Sequence, residues 1–139
     1  MEKYIEKIKK DNIVYAIILR DEYEGDHINF FTEDSMSFQV GHLPHLKGKI
    51  IEPHLHLENI RTINDTSEVL LVKKGKVKVN FYDNDKKHID STTLFKGDII
   101  LLCGGGHGFE ILENAVMIEI KQGPYNAISD KVRFKGIEK

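Results

Sequence analysis

The amino-acid sequence predicts an all-β fold, an antiparallel sandwich or jelly roll. Short β-branched and aromatic runs recur along the chain, polar turn clusters divide them, and helical periodicity is almost absent. Ile13-Val-Tyr-Ala-Ile-Ile-Leu19, the run 27–31 and the run 37–43 read as the first strands, separated by polar stretches at 21–26 and 32–35. Glu68–Val72 reads as a strand, Lys73-Lys74-Gly75 as a turn, and Lys76–Phe81 as a strand whose alternation of polar and apolar residues gives it one wet face. Asp83–Lys87 reads as a polar hairpin tip. Leu94-Phe95 leads into a turn at Lys96-Gly97-Asp98, and Ile99–Leu102 follows as a strand. The glycines at 104–106 break the chain before His107–Leu112, and Ala115–Ile120 is the last strand expected. At the N-terminus, Tyr4, Ile5 and Ile8 among lysines and glutamates suggest a short amphipathic helix over residues 2–10, too small an apolar face for a membrane anchor.

Composition sets the broad class. A chain of 139 residues with 40% hydrophobic and 30% charged residues suits one globular domain, expected to span residues 1–139. No apolar run approaches bilayer length, and the charged start of the chain suggests no export signal, so a cytoplasmic location is expected. A net charge of −2 gives no general attraction to nucleic acid or to an acidic membrane, which leaves a small molecule as the expected partner. Cys103 is the only cysteine, which excludes an intrachain disulfide and a thiolate zinc cluster within one chain.

The residues that carry chemistry begin at Pro53-His54-Leu55-His56. On a strand, residues two apart face the same way, so His54 and His56 would aim two imidazoles at one point. Alone, such a pair is equally consistent with two half-buried histidines bonded to their neighbours. Gly48 lies six residues before His54, and Glu68 lies seven before Gly75.

The order G-x5-H-x-H followed by E-x6-G resembles the first motif of the cupin superfamily, and Gly97 through His107 resembles the second, G-x5-P-x-G-x2-H-x3-N. The likeness covers residues 48–111. It implies an antiparallel jelly-roll (cupin) β-barrel in which His54, His56, Glu68 and His107 bind one divalent metal ion, with Gly75 in a hairpin turn. Such a ligand set suits Fe, Mn, Ni, Co or Zn. The sequence departs from the pattern in several places. Residues 57–67 enlarge the loop between the histidine pair and Glu68, Cys103 stands in place of proline, the stretch to His107 is one residue short, and Ile111 stands in place of asparagine. Glu58 is an alternative ligand, but Glu68 alone keeps the spacing to Gly75 and opens a strand.

Three further residues, Arg61, His42 and Phe38, are candidates for substrate contact. Arg61, in the enlarged loop, is either a clamp for a carboxylate or phosphate or a solvated loop arginine. Phe38, Val40 and His42 would share one strand face, which points either into the cavity or outward. His27, His45 and His88 are expected at the surface, Cys103 as a small apolar side chain, and the tail from Lys121 carries no readable chemistry.

Three functions follow from this reading. The first is a metal-dependent enzyme acting on a small polar metabolite such as a sugar derivative, of isomerase or dioxygenase type. The second is a metal-free sugar-nucleotide isomerase or epimerase that uses His54 or His56 for proton transfer. The third is a non-catalytic small-molecule-binding cupin. A homodimer through edge strands or an exposed sheet face is expected.

Overall fold

The computed structural model describes residues 2–137, and the all-β class holds: among the described residues every strand pairing is antiparallel, and the only helical element is a single 3-10 turn at Glu2–Tyr4. The chain divides into two compact units, one formed by residues up to Tyr23 together with those from Asp65 onward, the other by Glu24–Asn64. Among the described residues no helix is long and apolar enough to cross a membrane.

The first unit holds a six-stranded sheet of β1 (Ile5–Lys10), β2 (Ile13–Leu19), β5 (Glu68–Tyr82), β6 (His88–Leu94), β7 (Ile99–Leu102) and β8 (Gly106–Lys121). Its path runs β1-β2-β7-β5-β6, with β8 also paired to β5. Among the described residues no strand pairing closes this path into a barrel. The second unit holds only a two-stranded sheet, β3 (Asn29–Phe30) against β4 (Gly41–His42), and no strand over residues 43–64.

The helix expected over residues 2–10 is a strand instead. Asp11 and Asn12 both have positive φ, 50° and 62°, which makes a two-residue hairpin turn whose twist suits antiparallel neighbours. That turn folds Ile5–Lys10 onto β2 and buries Ile8, so cross-strand pairing prevails over a short helical pattern. The hairpin turn expected at Gly75 is also absent. β5 runs unbroken through it, and Gly75 (φ 86°) sits in a stretch where the β5–β8 register shifts three times, between Val72 and Val77. A Cβ at Gly75 would collide with the backbone of Asn114 and Ala115, so glycine is required by contact as well as by φ. β8 likewise runs through Glu113-Asn114 as one strand, where the sequence suggested two.

These bulges fold the long ladder back on itself. Glu68 pairs with Lys121 at one end and Phe81 with His107 at the other. Thirteen straight steps of strand would hold those ends about 40 Å apart, yet Glu68 and His107 approach within 3.1 Å. The inward-facing side chains switch parity across the bend, from Leu70 and Val72 to Val77, Val79 and Phe81. The core therefore lies between two layers. Ala16, Ile18, Leu70, Val72, Ile100 and Leu102 come from one, and Val79, Phe81 and Leu94 from the other, all in one buried cluster.

Polar ties hold the layers together. The Asp98 carboxylate is 1% exposed and accepts hydrogen bonds from Arg20 Nη1 (2.7 Å) and from the backbone N–H groups of Asp21 (3.0 Å) and Phe95 (2.9 Å). The same guanidinium donates to the Thr93 carbonyl, Thr92 Oγ1 and Glu6 Oε1, joining β1, β2 and β6. Lys10 donates to Asp83 at 2.5 Å and fastens the end of β1 to the β5–β6 hairpin. Asp98→Ala leaves Arg20 and two backbone donors short of an acceptor, so we expect a loss of about 3–5 kcal/mol in urea unfolding. A change within about 0.5 kcal/mol, the range of a neutral surface substitution, would show that the network is not structural.

Candidate functional site

Glu68 opens β5 and His107 is the second residue of β8, and the folded ladder brings them together. His107 Nε2 donates to Glu68 Oε2 at 3.1 Å, and Lys121 Nζ stands 3.9 Å from the other carboxylate oxygen. Both side chains are partly buried, 12% exposed for Glu68 and 27% for His107. The His107 hydrogen bond holds the Glu68 carboxyl below its ordinary value of 4.5, against the opposing effect of burial, with smaller contributions from the His107, Lys121 and Lys131 charges.

The pair lines a cavity of about 660 Å³ within the first unit. Its wall also includes Tyr82, Asp83, Lys86, the glycines 104–106, Phe109 and much of the C-terminal segment 130–136. That segment is held at both ends. Phe134 packs edge-on against the Tyr82 ring (5.1 Å, 89°), and the Ile137 N–H donates to the Tyr82 hydroxyl at 3.1 Å. A Cβ at Gly106 would meet the Phe134 ring at 2.8 Å, so glycine there admits the aromatic side chain. Upstream, Asp130 lies 3.7 Å from Lys121, and its N–H donates to the Asn126 carbonyl.

The residues singled out in the sequence fall in both units. Glu68 and His107 meet in the first, and Glu68 does begin a strand. His54 and His56 belong to the second, where their rings form an edge-on pair 5.3 Å apart and His54 Nδ1 lies 3.0 Å from the Glu52 carbonyl. The shared strand face expected of them is absent, since no strand carries them; both are exposed. Glu58 is exposed in the same strandless stretch. Phe38 and Arg61 line one groove of the second unit, with Met36, Gln39 and Ile63 among its walls. His42 is half-buried on β4, opposite Asn29. Phe38 and Val40 precede that two-residue strand, so the three residues do not form the single strand face that the sequence suggested.

A separation of 3.1 Å between a carboxylate oxygen and an imidazole nitrogen suits a hydrogen bond. It also suits two donors at right angles, each about 2.1 Å from one cation, which stand about 3 Å apart. Glu68 and His107 therefore fit as two ligands of a divalent ion. Among the described residues no group of three or more His, Cys, Asp or Glu side chains is placed to hold a metal.

Tyr82, Lys131, Arg133 and Phe134 line the cavity and were not singled out in the sequence. The available signal was the alternation in Lys131-Val-Arg-Phe134, a pattern of period two in a stretch otherwise read as tail. Cys103 is half-buried, and burial pushes its thiol up to about 11, in keeping with an apolar role.

Two measurements check this electrostatic picture. A carboxylate held below its unfolded value contributes stability that is complete above about pH 4.5 and is lost as pH falls through the folded value. His107→Ala removes the main lowering influence and leaves burial, so carboxyl NMR should find the Glu68 titration moved upward; an unmoved titration would refute the assigned cause. Cys103 should react with iodoacetamide at pH 8 far more slowly than a free thiol, and equal rates would contradict its burial.

Comparison of the chain with protein-family models, with curated proteins and with solved structures gives no match.

Proposed function

We propose that the chain is a small-molecule-binding protein of the jelly-roll (cupin) type, acting as a metal-dependent enzyme on a small polar metabolite. The observation that carries this reading is the Glu68–His107 pair in the wall of a 660 Å³ cavity. A cavity of that size suits a metabolite and is of the kind that holds ligands elsewhere. Two packed layers with a polar opening at the end of the core agree with a jelly roll, which needs no hydrogen-bonded closure.

In this reading Glu68 and His107 hold the cation; His54 and His56, which the sequence resemblance implies as further donors, belong to the second unit. A bound divalent ion supplies Lewis-acid polarisation of a substrate oxygen. Tyr82 and Phe109 give the cavity apolar surface against which a substrate is oriented, and the segment 130–136 forms one side of its wall. Fe, Mn, Ni, Co and Zn all suit such donors.

One observation favours a second, metal-free reading. Glu68 and His107 already form a direct hydrogen bond, with the carboxylate held in its charged form. A carboxylate that orients an imidazole is a competent proton-transfer pair without any cation. His107 would then exchange the proton with substrate, and Glu68 would fix the ring.

Metal analysis after reconstitution separates the two. The metal reading expects about one equivalent per chain, and weakening in Glu68→Gln and His107→Ala beyond the roughly tenfold caused by losing an outer-sphere partner. His54→Ala and His56→Ala examine the other two donors. Substoichiometric metal in the wild-type chain, or full occupancy in the Glu68→Gln/His107→Ala double variant, would sink the metal reading.

A further inference from the structure

The cavity wall carries three acids and three cations, and their partners differ. Asp83 is paired with Lys10 at 2.5 Å and also accepts from the N–H groups of Asp85 and Lys87. Asp130 stands 3.7 Å from Lys121, and Glu68 is bonded to His107 and lies near the same lysine. All three acids are thus accounted for. Among the described residues none of the three lining cations, Lys86, Lys131 and Arg133, has an acidic partner within 4 Å. Lys86 and Lys131 stand over aromatic rings instead, Phe134 and Tyr125, each 5.9 Å from the centroid.

The placement of Lys131 and Arg133 follows from how the chain is fastened. The segment is fixed upstream through Asp130 and downstream through Phe134 and Ile137. Only three residues, Lys131-Val132-Arg133, lie between the fastenings, and all three line the cavity. All three are exposed, so they form the open rim of the cavity and are pinned on either side. The glycines 104–106 line the same cavity: Gly106 packs against the Phe134 ring of the strap, and Gly104 faces open space. The cavity therefore offers an excess of unpaired positive charge along the strap, with open space beside Gly104.

We propose that the ligand of this cavity is a small organic anion, a carboxylate or phosphoryl compound, whose anionic end is held by Arg133 with Lys131 beside the Glu68–His107 pair. The inference rests on the reading of this cavity as the functional site. Arg133 supplies planar paired donors that match either oxyanion, and Lys131 adds a point charge. Lys86, held over the Phe134 ring, helps fasten the strap and sets the field at its lower end.

The test is an amide NMR titration of the full chain with inorganic phosphate and, separately, with malonate. We expect saturable shifts at residues 104–107 and 131–136, about tenfold weaker binding in Arg133→Gln and in Lys131→Gln, and no change in Lys47→Gln. Undisturbed spectra for the rest of each variant show that it is folded. The stronger of the two anions identifies the oxyanion class. No saturable shift with either anion would overturn the proposal, as would an Arg133→Gln protein that titrates like the wild type. Metal retained without anion shifts removes this inference alone, whereas anion shifts in a chain that takes up no metal remove only the metal reading.

Discussion

The fold-back of the β5–β8 ladder is the constraint on which the rest of the first unit depends. A straight two-stranded ribbon of this length would leave Glu68 and His107 at opposite ends. The bulges around Gly75 bend it, and the bend does two things at once. It stacks one half of the sheet on the other, which buries the cluster from Tyr15 to Leu102, and it closes the ladder's ends over the core. Core and site are consequences of one backbone feature. Glycine at 75 is the residue that permits it, because any side chain there would meet the facing backbone of β8.

The site inherits its chemistry from that closure. Where inward-facing positions remain apolar, the two layers seal. Where the parity brings Glu68, Lys121 and His107 to the interior edge, the seal gives way to a polar cavity. Tyr82 lies at the border and serves both sides: its ring is buried and receives Phe134, while its hydroxyl accepts the Ile137 N–H. The C-terminal segment is in this way part of the cavity wall, held by an aromatic contact and a single hydrogen bond at one end and by an ion pair at the other.

Much of this was legible from residue order, and the gaps have physical causes. Ile13–Leu19 emerges with the boundaries expected, because five of its seven residues are β-branched or aromatic. Glu68 was identified from its spacing to Gly75, and His107 from its position after the glycines. Residue order does not distinguish the role of Gly75, because a positive φ serves a hairpin turn and a bulge equally well. At the N-terminus Tyr4, Ile5 and Ile8 fit a helical face, but the Asp11-Asn12 turn outweighs so short a pattern and makes the segment a strand. The runs at 27–31 and 37–43 have strand composition, yet only two residues of each pair, since strand length is set by an available partner. The tail was unreadable because its meaning lies in contacts with Tyr82 and Gly106, remote in sequence.

The pairing of β2 with β7 also bears on how the chain assembles. Leu19 meets Ile99 and Ala16 meets Leu102, so eighty positions separate the innermost partners. The β1–β2 hairpin is local and can form as soon as its residues emerge during synthesis. Its second edge, lined by Tyr15-Ala-Ile-Ile-Leu19, then waits for a strand made much later. During that interval an apolar strand edge stands open to any other chain. Mature stability and yield of folded protein are therefore governed by different parts of the molecule: the first by the bent ladder, the second by how long this early hairpin must wait for its partner.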